Sequence, residues 1–169
     1  MSESEAYIPP SGVAEDGWTK DGRATATCYC GEVQLSFPVD GDDLVDTFIC
    51  HCYDCRKITA SMYASNFIVK DGAIKWIRGE DKLSEWGQSK TIATGNKMTN
   101  RFCSVCGTLM ARVSSGFPGM SILRIGTVDD FRLHETKLKP RIEQFAKDRV
   151  AWCAAGDGVT QKEGNYYTG

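Results

Sequence analysis

The stretch ICHCYDCRK, residues 49–57, places Cys50, Cys52 and Cys55 close together in the chain. We call these three residues the triplet. A disulfide bond needs two thiols and a closed tetrahedral zinc site needs four, so three thiols fit neither arrangement by themselves. A disulfide between Cys50 and Cys52 is further disfavoured because it would close a cramped ring. The function of the triplet therefore depends on the other cysteines of the chain.

Two further groups of cysteines have the spacing of metal ligands. Cys28 and Cys30 lie in CYCG and form the first pair, and Cys103 and Cys106 lie in CSVCG and form the second pair. A Cys-x-x-Cys turn followed by glycine is typical of a zinc knuckle, because the glycine permits the φ that the turn needs. A Cys-x-Cys sequence in a strand places both sulfurs on one face, since strand side chains alternate.

The composition is that of an ordinary globular protein and excludes several functional classes. The 169 residues are 41% hydrophobic and 25% charged, with a net charge of -2 and a pI of about 5.7. No run of Lys and Arg provides the basic surface of a nucleic-acid-binding protein. No stretch reaches the ~20 apolar residues of a membrane span, and the N-terminus lacks the regions of a signal peptide. We therefore expect a soluble, cytoplasmic protein without nucleic-acid or membrane partners, in which the closely spaced cysteines among the eight bind metal rather than form disulfides.

The thiols can be grouped into metal sites in two ways. In the first, Cys52 and Cys55 join the second pair in a four-thiolate site and leave Cys28, Cys30 and Cys50 over. In the second, the two pairs form the four-thiolate site and the triplet forms a three-thiolate site. The seven clustered thiols are one short of two closed sites. Since structural zinc is closed and catalytic zinc keeps an open position, this number favours the second grouping, with one Zn²⁺ of each kind.

Either His51 or Cys153 would close the triplet if it supplied a fourth ligand. His51 lies between two ligands that share a face, so in an extended chain its ring points the opposite way. Cys153 stands alone in AWCAAG, and a single cysteine beside Trp and Ala is more often a small buried hydrophobic residue than a ligand. We therefore predict an open three-thiolate site.

The sequence predicts one mainly β domain. Residues 1–22 are polar and contain Gly and Pro, so we expect a flexible N-terminal leader before a single domain over residues 23–169. From Arg23 onward, short alternating or β-branched runs are separated by Gly, Asp, Asn or Pro. Residues 139–155 have helical spacing, but a strand after Pro140 followed by a short turn fits them equally well. Three tryptophans are expected in the core rather than at a substrate site: Trp76, Trp86 and Trp152.

Four stretches resemble, in their order and spacing, the signatures of the glutathione-dependent formaldehyde-activating enzyme family, to which a domain of centromere protein V is related. They are CYCGEVQLSF (28–37), CHCYDCRKITASMYASNFIV (50–69), RFCSVCGTLMARV (101–113) and LRIGTVDDF (123–131), within a resemblance over residues 23–157. The resemblance implies a β-tent of small antiparallel sheets with little helix. It also implies a structural zinc at the two pairs and a catalytic zinc at the triplet. One departure is Ala60, where many members carry glycine.

The family reaction joins glutathione and formaldehyde into S-(hydroxymethyl)glutathione, which would make this protein a zinc-dependent carbon–sulfur lyase. By this resemblance the triplet, Cys50, Cys52 and Cys55, would be catalytic, and an incoming thiol is a natural fourth ligand. The negative charge of such a centre requires N–H donors and cations nearby. The candidates for contacts with glutathione are Arg56, Thr94, Asn96 and Arg101.

Two other functions remain open from the sequence. The same thiol-binding site could serve a lyase or isomerase that acts on a different small electrophile. Alternatively, the chain could be a non-enzymatic zinc module that binds a protein partner, since the acidic pI argues only against a nucleic-acid partner.

Overall fold

The computed structural model describes residues 5–166, which form two β-sheets and two short helices. The strands of the smaller sheet, in sheet order, are Thr19–Lys20 (β1), Arg23–Thr27 (β2), Gln34–Pro38 (β3) and Lys75–Arg78 (β6). Those of the larger sheet, also in sheet order, are Thr160–Gln161 (β12), Ile142–Gln144 (β11), Leu44–Cys50 (β4), Ala64–Lys70 (β5), Met120–Arg124 (β10), Leu109–Ser114 (β9), Met98–Cys103 (β8) and Leu83–Gln88 (β7). The helices are Tyr53–Thr59 (α1) and Phe131–Glu135 (α2). The predicted mainly β architecture with little helix is confirmed, and neither helix is long and apolar enough to cross a membrane.

The main core lies between the two sheets. Phe37 on β3 and Phe67 on β5 are fully buried, and their ring centroids are 4.7 Å apart. Within the larger sheet, Phe67 is in register with Leu123, and Leu123 is in register with Ala111. These residues belong to one buried apolar cluster with the side chains of β2 and β3. We call the side of the larger sheet that carries them the inner face.

The opposite side of the larger sheet, which we call the outer face, carries polar as well as apolar side chains. Because side chains alternate along a strand, the sequence neighbours of the inner-face residues point to it. Asn66 on β5 is in register with Phe48 on β4 and with Arg124 on β10. Arg112 on β9 is in register with Ile122 on β10. Helix α1 follows β4 directly and packs against this face.

Residues 139–155 contain a strand and a turn, so the helical interpretation is wrong and the strand interpretation is confirmed. Strand β11 runs parallel to both β4 and β12, and Ala146–Asp148 forms a 3₁₀ turn after it. All three residues of β11 are buried. A strand with a neighbour on each side explains this burial, whereas a helix on the surface would leave one side of its chain in solvent.

The prediction that the tryptophans lie in the core is wrong for two of them. Trp86 is 60% exposed and Trp152 is 76% exposed, whereas Trp76 packs against the core. Trp86 lies on β7, the last strand of the larger sheet, and Trp152 lies in the loop after the 3₁₀ turn. Edge and loop positions leave large side chains without a covering layer.

The N-terminal segment contacts the rest of the structure, although the sequence predicts a flexible leader over residues 1–22, of which residues 1–4 lie outside the described part of the chain. Strand β1 pairs with β2 at the edge of the smaller sheet. The Val13 backbone N–H donates to the Tyr29 carbonyl oxygen at 2.9 Å. The segment from residue 5 to residue 22 is therefore part of the folded unit in this structure.

Asp130, the N-cap residue of α2, holds this segment in place. The fully buried carboxylate accepts hydrogen bonds from the Tyr7 backbone N–H at 3.0 Å and from Thr19 Oγ1 at 2.8 Å. It also accepts from the backbone N–H and the guanidinium of Arg132. Burial raises the pKa of Asp130, but the hydrogen bonds from Thr19, Tyr7 and Arg132 outweigh it and hold the pKa below its ordinary value.

We expect Asp130→Asn to lower the free energy of unfolding by about 1–3 kcal/mol at pH 7, because an amide cannot accept all of these hydrogen bonds. Urea unfolding of the zinc-loaded protein measures this loss, with the exposed Asp42→Asn as the control for charge. The carboxylate stabilises the fold above its unfolded pKa of about 3.9, and this contribution is lost as the pH falls through the lower folded pKa. The difference between the two proteins should therefore shrink in acid. Equal stabilities of Asp130→Asn and Asp42→Asn at pH 7 would contradict the role given to Asp130.

Candidate metal centres

The first and second pairs of cysteines meet in one four-thiolate group. The sulfur atoms of Cys28, Cys30, Cys103 and Cys106 all lie within 4.8 Å of one another. The Sγ of Cys30 is 3.6 Å from that of Cys28 and 3.8 Å from that of Cys103. Cys28 follows β2 and Cys103 ends β8, so the group joins the smaller sheet to the larger one. Gly107, with φ of 79°, makes the turn of the Cys-x-x-Cys sequence possible.

The thiols of this group cannot all ionise without a cation. Burial raises the pKa of Cys28. For Cys30, a hydrogen bond from the Glu32 backbone lowers the pKa, but desolvation and the neighbouring thiols raise it to about 12. Burial raises the pKa of Cys106, but hydrogen bonding with Thr108 lowers it to about 6. The pKa values of closely spaced acids diverge in this way because the ionisation of one disfavours the ionisation of the next. A bound divalent metal ion would remove this repulsion.

The triplet forms a second, separate group in which three sulfur atoms lie within 4.8 Å of one another. Cys50 is the last residue of β4, Cys52 is the N-cap residue of α1, and Cys55 lies in the first turn of that helix. The Cys52 Sγ accepts the Cys55 backbone N–H at 3.3 Å, which is the ordinary bond of an N-cap side chain. The end of one strand and the start of one helix therefore suffice to gather all three sulfurs.

The sulfurs of the triplet also divide their charge unequally. Hydrogen bonding with Cys52 and Cys55 raises the pKa of Cys50. The pKa of Cys55 is held well below its ordinary value by hydrogen bonds from Cys50 and Cys52, with a further contribution from the positive charges of Arg112 and Arg124. Soft thiolates at this spacing fit Zn²⁺, so the donor atoms of both groups suit the two zinc ions that the sequence predicts.

Neither residue that could close the triplet joins it within residues 5–166. The His51 ring is buried and turned towards β11, with its Nε2 2.8 Å from Glu143 Oε2. Glu143 also accepts hydrogen bonds from Arg149 Nη2 at 2.7 Å and from the Gly156 backbone N–H at 2.8 Å. Cys153 lies in the loop after the 3₁₀ turn. In the structure the triplet is a group of three sulfurs.

The outer face brings two arginines to the triplet that the sequence analysis did not identify. Arg112 is buried and its Nη1 is 3.6 Å from the Cys55 Sγ. Arg124 is buried beside it and its Nη1 donates to Asn66 Oδ1. Burial lowers the pKa of Arg124 to about 10, so this guanidinium remains charged at neutral pH. The available signal was an arginine inside the apolar runs LMARV and LRIG, where a charge is unexpected in a buried strand.

The residues nominated for glutathione contacts are separated by the fold. Arg56 lies on α1 with its guanidinium carbon 5.6 Å from the Tyr53 ring centroid, and its Nη1 donates to the Asp148 carbonyl oxygen at 3.2 Å. Arg101 lies on β8 in register with Ala111, which places it on the inner face, away from the triplet. It pairs there with Glu85 Oε1 at 2.9 Å and lies over the Trp76 ring.

Thr94 and Asn96 lie in the loop between β7 and β8. The Asn96 backbone N–H donates to Thr94 Oγ1 at 3.3 Å. The same loop is attached to helix α1, because Thr91 Oγ1 donates to Asp54 Oδ2 at 2.8 Å. The loop therefore reaches the helix that contains Cys55 and has Cys52 as its N-cap.

Comparison with known proteins agrees with the motifs. The family model described as glutathione-dependent formaldehyde-activating enzyme matches residues 23–148, most of the chain, and confirms the resemblance. A solved structure of a Rhodobacter sphaeroides protein matches with 19% identity and a TM-score of 0.47, over 61% of this chain and 85% of that chain. A comparison with curated proteins finds no match.

We expect Cys103→Ser and Cys52→Ser to have different effects. Loss of Cys103 opens the group that joins the sheets, and a structural zinc contributes about 10–16 kcal/mol, comparable with the net stability of a domain. Cys103→Ser should therefore misfold, whereas Cys52→Ser should stay folded and retain one zinc ion per chain. Circular dichroism, thermal melting and zinc content after purification measure these outcomes. Cys153→Ser is the control and should keep two zinc ions; equal unfolding of Cys103→Ser and Cys52→Ser would contradict this division of roles.

Proposed function

The chain belongs to the glutathione-dependent formaldehyde-activating enzyme family, and we propose that it is a zinc-dependent carbon–sulfur lyase of the S-(hydroxymethyl)glutathione synthase type. The observation that supports this proposal is the three-sulfur group of Cys50, Cys52 and Cys55, which neither His51 nor Cys153 completes within the described residues. Three protein ligands with a free position distinguish a catalytic zinc from a structural one. We propose that the glutathione thiol takes this position in a reducing compartment such as the cytoplasm.

In the proposed reaction one bond forms between sulfur and carbon. The glutathione sulfur adds to the carbonyl carbon of formaldehyde, the C=O π bond opens, and the oxygen takes up the proton that the thiol has lost. The product is S-(hydroxymethyl)glutathione, and the steps run in reverse for the lyase direction. When bound at the triplet, Zn²⁺ would ionise an incoming thiol at neutral pH.

Ionisation of the thiol accounts for a small part of the rate. A free thiol with a pKa of about 8.5 is ~3% thiolate at pH 7, so full ionisation gains about 30-fold. A metal that lowered the pKa of the thiol would also lower its nucleophilicity, and this would remove ~10-fold of the gain. Most of the acceleration must therefore come from holding the aldehyde beside the sulfur and from donors that meet the developing oxygen charge.

We propose Arg56 and the loop residues Thr94 and Asn96 as contacts for glutathione. Arg56 follows Cys55 directly on α1 and is half-buried, with its guanidinium over the Tyr53 ring. The loop is fixed to the same helix through the bond between Thr91 and Asp54. A guanidinium on the helix and small polar donors in the loop attached to it suit the two carboxylates of glutathione. Arg101 is left out of this proposal because it faces the opposite side of the sheet.

Two other functions share the same metal centre. A lyase or isomerase acting on a different electrophile, such as an activated alkene, would use the same bound thiol. A zinc module that binds a protein partner would need no free ligand position. Binding of an external thiol at the triplet is expected of both enzyme functions but not of the zinc module, and it therefore distinguishes them.

We expect glutathione to bind the two-zinc protein with a stoichiometry of one per chain, and S-methylglutathione, which has no free thiol, to bind at least tenfold more weakly. Isothermal titration calorimetry measures both affinities. Cys52→Ser with its four-thiolate site loaded is the matched control and should bind neither compound. If the two-zinc protein does not bind glutathione, the formaldehyde reaction is excluded. If glutathione binds but formaldehyde is not incorporated in an NMR assay, a different electrophile is indicated.

A further inference from the structure

The outer face of the larger sheet holds two positive charges beneath the triplet. Arg112 and Arg124 lie on the neighbouring strands β9 and β10 and are 7% and 6% exposed. Within the described part of the chain neither is within ion-pair distance of an Asp or Glu side chain. A buried charge without an opposite charge is strongly destabilising, so two such residues on adjacent strands need a compensating anion.

The polar atoms of the two arginines are only partly paired. Arg112 Nη1 is 3.6 Å from the Cys55 Sγ, and Arg124 Nη1 donates to Asn66 Oδ1. Arg112 Nε and both Nε and Nη2 of Arg124 are buried and have no hydrogen-bond partner among residues 5–166. Buried donors of this kind are rare in native proteins and point to a charge that the polypeptide alone does not provide.

The charges of the metal centre match those of the two arginines. A divalent ion with three thiolates has a net charge of -1, and a fourth thiolate makes the net charge -2. Two guanidinium groups then neutralise the complete centre. Thiolates of the triplet would lie within reach of this compensation, since the Cys55 Sγ is 3.6 Å from Arg112 Nη1.

We infer that Arg112 and Arg124 are the counter-charges of the triplet, and that they favour an anionic thiolate over a neutral molecule as the fourth ligand. They act through the thiolates and need not touch the substrate. The first part of this inference concerns metal binding at the triplet, and the second part rests on the proposed function. Metal binding at the triplet would bring one net negative charge beside the arginines, and thiol binding would bring the second.

A merely structural role for the arginines makes a different prediction. If they only fill space on the outer face, their replacement should lower stability by the same amount with or without metal at the triplet. If they are counter-charges, replacement should weaken the metal-loaded form specifically. An apolar side chain of similar length should even be tolerated better when the triplet is empty, because an uncompensated buried charge has been removed.

The test uses Arg112→Met and Arg124→Met, each compared with its Lys variant, which keeps the charge. Arg23→Met removes a guanidinium from the smaller sheet and is the control. Zinc affinity is measured by competition with a chromophoric chelator, and the binding step that Cys52→Ser lacks is assigned to the triplet. Thermal melting compares protein with zinc only in the four-thiolate site and protein with both sites loaded.

We expect each Met variant to weaken zinc binding at the triplet by about tenfold or more, since a unit charge at this range in a protein interior has at least that effect. Zinc binding at the four-thiolate site should be unchanged, and the Lys variants should recover part of the loss. The Met variants should lower the melting temperature of the two-zinc form more than that of the one-zinc form. Unchanged zinc affinity at the triplet in both Met variants, or equal losses of melting temperature in the two forms, would overturn the inference.

Glutathione binding to the two-zinc proteins tests the second part. We expect its affinity at pH 7 to fall by about tenfold in Arg112→Met, and to be unchanged in Arg23→Met. Wild-type affinity in both Arg112→Met and Arg124→Met would overturn the selection of an anionic ligand. If the wild-type protein itself does not bind glutathione, the proposed function fails, while the zinc affinities still decide whether the arginines are counter-charges.

Discussion

Mutual repulsion between closely spaced sulfur anions is the constraint on which this structure depends. Seven thiols are gathered into two groups, and in each group the sulfur atoms lie within 4.8 Å of one another. Their pKa values diverge because the sulfurs cannot all be charged together unless a cation lies among them. The four-thiolate group lies between the end of β2 and the end of β8, so a metal ion bound there would couple the relief of this repulsion to the packing of the two sheets. A metal ion bound by the three sulfurs of the triplet would keep a position for a further ligand.

The alternation of side chains along the larger sheet places the residues of the core and the residues near the triplet on opposite faces. Its inner face supplies Phe67, Leu123 and Ala111 to the core between the sheets. Its outer face supplies Arg112 and Arg124 to the triplet, from positions next to those core residues in the sequence. Because the period of a strand is two, the core residues and the charged residues cannot change sides independently. The apolar inner face therefore fixes the side on which the positive charges lie.

The sequence predicted the features that depend on neighbouring residues in the chain. It predicted less well the features that depend on contacts between distant parts of the chain. The triplet, the two pairs and the mainly β architecture follow from spacing and alternation over a few residues. The sequence allowed two groupings of the thiols into metal sites. The structure distinguishes them, because the ends of β2 and β8 bring the two pairs of cysteines together. Arg112 and Arg124 were missed because their approach to Cys55 depends on the order of strands in the sheet. Residues 139–155 were ambiguous for the same reason: the burial of β11 comes from its neighbours β4 and β12, and local periodicity does not contain that information.

The two cysteine groups differ in how they can assemble while the polypeptide is being made. The triplet lies within one strand end and one helix start, whereas Cys30 and Cys103 are 73 positions apart. A nascent chain can therefore offer the triplet to a metal ion before the ribosome has completed the other group, whose closure also carries the entropic cost of a long loop. An ion captured early would fix the start of α1 against β4 while the sheets were still separate. The supply of metal during synthesis would thus act on the two cysteine groups at different moments.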